Sequence, residues 1–296
     1  MRVNKTATIL WALSSLGVSA ANADVSVVTS IKPVHSLVSS VMHGVGSPTV
    51  LIEGAGSPHT YSLKPSQAKQ LQDADLVFWV GDGLEPFLEG PIQNIATNAT
   101  SIKLIDSHGL KKIKFREGGM FDEHNDHDDH DDHEDHDKEK HAKDDHDDHG
   151  HGDFDHHVWL DPINAKAIVH EIEEALVKAD PKNAKKYEAN ANRITGELDQ
   201  LVKELRAQLQ PVQEKGFIVF HDAYQYFEQR FGVSAIGSIT VSPEVMPGAE
   251  RVSVLRKKIR DLKATCVFSE PQFEPKLVTT IAVSYTHLTL PTILRV

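Results

Sequence analysis

The stretch KNAKKYEANANRITGELDQLVKELRAQLQ, residues 182–210, decides how this chain is organised. It contains no proline, and Ile194, Leu198, Leu201, Val202, Leu205 and Leu209 recur at spacings of three and four, which puts one apolar stripe along a long amphipathic helix. At 1.5 Å per residue such a helix is roughly 40 Å long, enough to pack into a core or to join two lobes as a stiff strut.

On either side of it the pattern changes to short apolar runs. Upstream, residues 25–30 read as a strand, Pro33 sits at a helix start, and Val34, Leu37, Val38 and Val41 follow at helical spacing. Residues 49–52, 75–80 and 102–105 are further strand-like runs, and downstream 217–220, 233–236 and 266–268 repeat the theme. Strands alternating with helices predict parallel sheets. The expectation is an α/β protein of two similar lobes, each a parallel sheet flanked by helices. Residues 24–121 and 157–181 form the first lobe, 182–210 the linking helix, and 211–282 an incomplete second lobe.

Between the two parts of the first lobe lies a segment of another kind. Residues 122–157 hold eleven of the eighteen histidines and seventeen acidic residues. His124, His127, His130, His133 and His136 recur every third residue, and His141, His146, His149 and His151 follow more loosely. Almost nothing there is apolar, so the segment cannot offset the entropy of ordering its backbone, and 122–156 reads as a disordered, metal-catching loop. Imidazoles flanked by carboxylates are ligands for zinc, copper and nickel. The plain alternative is a charged linker that keeps the protein soluble, although solubility alone asks for Asp and Glu rather than for this much His. The segment carries a net charge of −14 in a chain of −12, which leaves +2 for everything else. Nucleic acid is therefore excluded as a partner, because the remainder lacks the basic face that it would need.

The amino terminus reads as an export signal. Arg2 and Lys5 precede a mostly apolar run at residues 7–18, and Ala21-Asn22-Ala23 offers a small-x-small cleavage pattern, so the mature chain is expected to start at Asp24. The run is too short to span about 30 Å of hydrocarbon, and no membrane insertion is expected.

Three histidines fall at strand ends or loops, where open α/β sheets bind ligands. His59 lies in Ser57-Pro58-His59-Thr60-Tyr61 after a Gly54-Ala55-Gly56 turn, His157 opens Val158-Trp159-Leu160-Asp161-Pro162, and His221 directly follows residues 217–220. Any one alone is more often a structural histidine than a ligand. Residues 56–66, 157–162, 220–224 and 264–272, in this order, resemble successive signatures of the metal-binding proteins of ABC uptake systems, and among them the periplasmic zinc-binding component of high-affinity zinc importers (metal-binding cluster A-I, or cluster 9). The resemblance spans about residues 24–282 and includes the inserted His/Asp-rich loop. It implies two lobes bridged by one long rigid helix with Zn2+ in the cleft, held by His59, His157 and His221. His156 competes for the second position, but the residue directly before Val158-Trp159-Leu160 fits the motif. The resemblance also implies a periplasmic, monomeric, non-enzymatic protein whose partner is the membrane permease of a zinc ABC importer.

Two departures stand out. Some relatives carry a metal-reaching glutamate beside the first histidine, where this chain has Pro58, which leaves the fourth place of a tetrahedral zinc to water or another side chain. After Ala282 the chain reads VSYTHLTLPTILRV, unlike the family, so residues 283–296 are expected to be a non-native tail. The resemblance would pair Cys266, the single cysteine, with one near the carboxyl terminus of relatives; a small buried hydrophobe explains it equally well. Three imidazoles suit zinc, whereas manganese and iron members of this fold use more carboxylate, including one at the position of His221. Rival readings are such a manganese or iron carrier, a periplasmic zinc buffer or chaperone acting mainly through the loop, and a zinc hydrolase, since three histidines and a water are also a catalytic pattern. No His-Glu-x-x-His pair supports the last.

Overall fold

The computed structural model describes residues 25–116, 154–240, 248–261, 266–273 and 278. The export signal, nearly all of the His/Asp-rich segment and the tail at 283–296 lie outside the described residues.

The first lobe is a four-stranded parallel sheet in the order β2-β1-β3-β4, made of β1 (Val27–Thr29), β2 (Thr49–Val50), β3 (Leu76–Trp79) and β4 (Thr100–Lys103). Both faces are covered, which is why its inner strands read as unbroken apolar runs. Val27, Leu76 and Phe78 point to one face, where they meet α1 (Lys32–Val41), α4 (Pro162–Ala179) and the first half of α5 (Ala184–Leu209). Val28, Val77 and Trp79 point to the other and bury Leu71 of α2 (Pro65–Gln72) and Leu88 of α3 (Pro86–Asn94). Start signals in the sequence act as expected. Pro33 sits in the first turn of α1, and Asp161 caps α4 by accepting from the Ile163 N–H at 2.9 Å just before Pro162.

The second lobe has a three-stranded parallel sheet in the order β6-β5-β7, from β5 (Phe217–Val219), β6 (Ala235–Ser238) and β7 (Cys266–Val267), with α6 (Gln225–Phe231) and α7 (Ala249–Asp261). Here too the faces alternate: Ile218 and Phe220 pack with Leu255, while Phe217 and Val219 pack with Val233 and Ala235.

Helix α5, 26 residues long, serves both as core and as strut. Its first half buries Tyr187, Ala191 and Ile194 in the first lobe's core, and Asn190 Nδ2 donates to the carbonyls of Val41 and His43 at 2.8 and 2.9 Å. Its far end places Leu209 against the second lobe's sheet. Between them Leu201 remains 39% exposed, so the apolar stripe contributes less burial midway.

Two strands differ from the apolar runs. β4 starts earlier, at Thr100, because pairing with β3 and not hydropathy defines it at this exposed edge, and Leu104–Asp106 forms a 3-10 turn. β6 starts later, at Ala235. Helix α6 ends on Gly232 in the left-handed region (φ 68°), so Val233 and Ser234 are consumed in turning the chain, even though Val233 is buried.

Candidate metal centre

The two lobes meet along α6 and the segments that lead into and out of the His/Asp-rich insertion. Lys114 and Phe154 form an antiparallel bridge, and the Asp155 N–H donates to the Ile113 carbonyl at 2.8 Å, so both ends of the insertion are joined at its root. Tyr226 of α6 fastens this root: its hydroxyl accepts from the Ile113 N–H at 3.1 Å and donates to the Asp155 carbonyl at 2.7 Å. Burial pushes the Tyr226 phenol up to about 12, so it stays a donor at any physiological pH. Two arginines cross the interface in opposite directions. Arg116, at the root, grips Asp222 (Nε to Oδ2 3.0 Å) and Glu228 (Nη1 to Oε2 3.0 Å, Nη2 to Oε1 2.8 Å). Arg230 of α6 forks onto the α4 cap Asp161 with two contacts of 2.6 Å.

His59, His157 and His221 converge at this junction. Each offers a ring nitrogen, and these atoms lie within 4.8 Å of one another. Ring centroids are 5.7 Å apart for His59 and His157, 5.8 Å for His59 and His221, and 5.2 Å for His157 and His221. The Nε2 atoms of His157 and His221 face each other at 3.4 Å. Two nitrogens on a tetrahedral zinc at about 2.0–2.1 Å stand about 3.3–3.4 Å apart, so this pair already has the spacing of two ligands.

Both rings are buried and are oriented from behind. His157 Nδ1 lies 2.6 Å from Asp155 Oδ1, and His221 Nδ1 lies 2.8 Å from Glu270 Oε1. A carboxylate only accepts, so each Nδ1 carries the proton and each Nε2 lone pair points into the cluster. Burial opposes protonation of the His157 ring, but the charge of Asp155 and its hydrogen bond outweigh that and hold its pKa above the usual imidazole value. His221 sits two residues past β5, His157 opens the 3-10 turn Val158–Leu160 that runs into α4, and His59 lies on the loop between β2 and α2. Apolar rings line the wall: Trp159 lies 5.4 Å from His157, and Phe273, 5.4 Å from His221, stacks on Phe220.

His156 does not join the cluster. Its ring turns toward Gly83, where a Cβ would come within 2.2 Å of it, and burial lowers its pKa. Asp155 and His156, which composition assigns to the solvated insertion, are thus part of the buried body. His124, His127, His130, His133, His136, His141, His146, His149 and His151 lie outside the described residues. Sequence reasoning did not single out Asp155, Glu270, Arg116 or Arg230. Glu270 was visible only as one letter of a motif, and nothing in the composition separates Asp155 from thirteen other aspartates around it.

Two parallel α/β lobes with an all-imidazole cluster at their junction define a metal-binding protein of the two-lobed, helix-bridged kind. The chain belongs to the family described as zinc-uptake complex component A, periplasmic, which matches residues 27–293. It is 52% identical over 274 residues to the high-affinity zinc uptake system protein ZnuA of Brucella abortus (strain 2308), covering 90% of this chain and 82% of that protein. Among solved structures it resembles a crystal structure of ZnuA (TM-score 0.70, 26% identity, 88% of each chain covered). A zinc-bound ZnuA deletion mutant is also similar (TM-score 0.68, 26% identity, covering 88% of this chain and 86% of that one).

Proposed function

We propose that this protein captures Zn2+ in the periplasm through His59, His157 and His221 and hands it to the membrane permease of an ABC importer, acting as a monomeric carrier rather than as an enzyme. The observation that carries the reading is the 3.4 Å approach of two buried, carboxylate-backed Nε2 atoms with a third imidazole beside them. An all-nitrogen set of this kind suits a borderline metal better than manganese or iron, which favour carboxylate, and the family's zinc relatives support the same choice. The fourth place falls to water or to another side chain, since Pro58 brings no carboxylate. Export with cleavage after Ala23 belongs to this proposal; no helix among the described residues is long and apolar enough to cross a membrane.

The test is a zinc titration of the full chain against a competing chelator, with X-ray absorption at the zinc edge. One tight site with three imidazole nitrogens, absent from a His59→Ala/His157→Ala/His221→Ala variant, is the expected result. A tight site that survives the triple substitution refutes it.

A further inference from the structure

The carboxylates around the cluster fall into two classes. Asp222 and Glu228 face Arg116, and Asp161 faces Arg230, so each of these acids has an arginine against it. Asp155 and Glu270 do not share this arrangement. Asp155 is fully enclosed; its Oδ1 accepts from the His157 N–H at 2.9 Å and meets His157 Nδ1, and its Oδ2 accepts from Gln225 Nε2 at 3.3 Å. Glu270, 8% exposed, meets His221 Nδ1 through Oε1 and accepts from Gln272 Nε2 at 2.8 Å through Oε2. Among the described ion pairs each of the two faces only an imidazole.

A buried charge without a countercharge is costly, and two of them, one from each lobe, lie directly behind the two inner ligands. Together they carry two negative charges, the amount that a divalent ion on the Nε2 side brings in positive charge. Attraction scales with the charge of the ion, so the same pair favours a monovalent ion half as much. We propose that Asp155 and Glu270, beyond orienting His157 and His221, are the positioning residues that set this site's preference for a divalent over a monovalent cation such as Cu+. The proposal rests on the zinc reading above.

Asp155→Asn and Glu270→Gln keep shape and a hydrogen-bond acceptor but remove one charge each. Cleft affinity is measured, on the full chain, as the component of Zn2+ or Cu+ binding lost in His221→Ala, by chelator competition under anaerobic conditions. Each substitution should weaken Zn2+ about 10–100-fold, the usual effect of losing a partner behind a metal ligand. Half the electrostatic loss predicts a drop of only about 3–10-fold for Cu+, so the Zn2+/Cu+ ratio shifts. Equal losses for both ions would show that the carboxylates only orient rings, and unchanged zinc affinity would show that they do neither; both overturn the proposal. Failure of both variants to fold, read by circular dichroism, also overturns it, because the charges would then serve the metal-free fold. A wild-type protein with no His221-dependent zinc overturns the parent reading and this one together, before any variant is compared.

Discussion

His157 and His221 differ from His59 in how they are held. The first two are buried at the lobe junction, each with Nδ1 tied to a carboxylate, and their Nε2 atoms already stand 3.4 Å apart. His59 is half-buried on a loop that leaves β2 through Gly54, a glycine in the left-handed region (φ 69°), and its ring lies 5.7 Å or more from the other two. On the proposed reading two ligands are thus fixed by the fold at ligand spacing before a metal arrives, and the third stands beside them with a ring nitrogen within 4.8 Å. Order paid in advance is the usual source of tight binding.

The largest effect that can break this contrast comes from the histidines themselves. Sharing an apparent zinc free energy of roughly 10–16 kcal/mol among the ligands makes one imidazole worth about 4 kcal/mol, or about a thousandfold in affinity. His157→Ala and His221→Ala should each lose about that much in a chelator competition. His59→Ala should lose several-fold less, because the remaining pair keeps its spacing. Equal losses at all three positions would mean that His59 is as firmly placed as the others.

Next in size is Arg116→Ala, which removes the clamp from Asp222 and Glu228, with side chains only 14% and 7% exposed. Stranding partly buried carboxylates costs about 3 kcal/mol. Urea unfolding should show this loss, and zinc affinity should fall as well, since Asp222 adjoins His221. A stability loss with unchanged zinc affinity would separate the clamp from the ligands and sharpen the contrast to the rings alone.

The smallest expected effect lies away from the junction, in the first lobe. Glu85 is fully buried; its Oε2 accepts from the Val80 and Gly81 N–H groups at 2.7 and 2.9 Å, while neither Oε1 nor the neighbouring Ser30 hydroxyl has a hydrogen bond of ordinary geometry. Burial pushes its carboxyl up to about 7. A raised carboxyl binds its proton more tightly when folded, so stability is full below about pH 4.5, falls as pH rises toward 7, and is flat beyond. Glu85→Gln, a neutral isostere, should therefore gain about 1–3 kcal/mol at pH 8 and nothing at pH 4. Denaturation at both pH values checks it, and a gain independent of pH would point to packing instead.

Much of this was legible in the chain. His59, His157 and His221 sit in motifs at strand ends, and the structure brings all three together; the long helix and the strands of both lobes were visible as periodicity. The rest was hidden for physical reasons. Asp155 sits in a run of acids that are cheap in water, and only the three hydrogen bonds to its carboxylate, two from His157 and one from Gln225 of α6, make its burial tolerable. The start of β4 at Thr100 follows from ladder pairing and not from apolar content. Arg116 and Arg230 are ordinary surface letters until the second lobe is laid against the first.

The antiparallel bridge between Lys114 and Phe154 has a consequence for how such proteins can change. It holds the two ends of the intervening segment side by side and ties them to α6 through Tyr226, so residues can be gained or lost between these anchors without moving either. The number of histidines carried there is therefore a nearly free variable, one that mutation can lengthen or shorten while the junction of the lobes keeps its geometry.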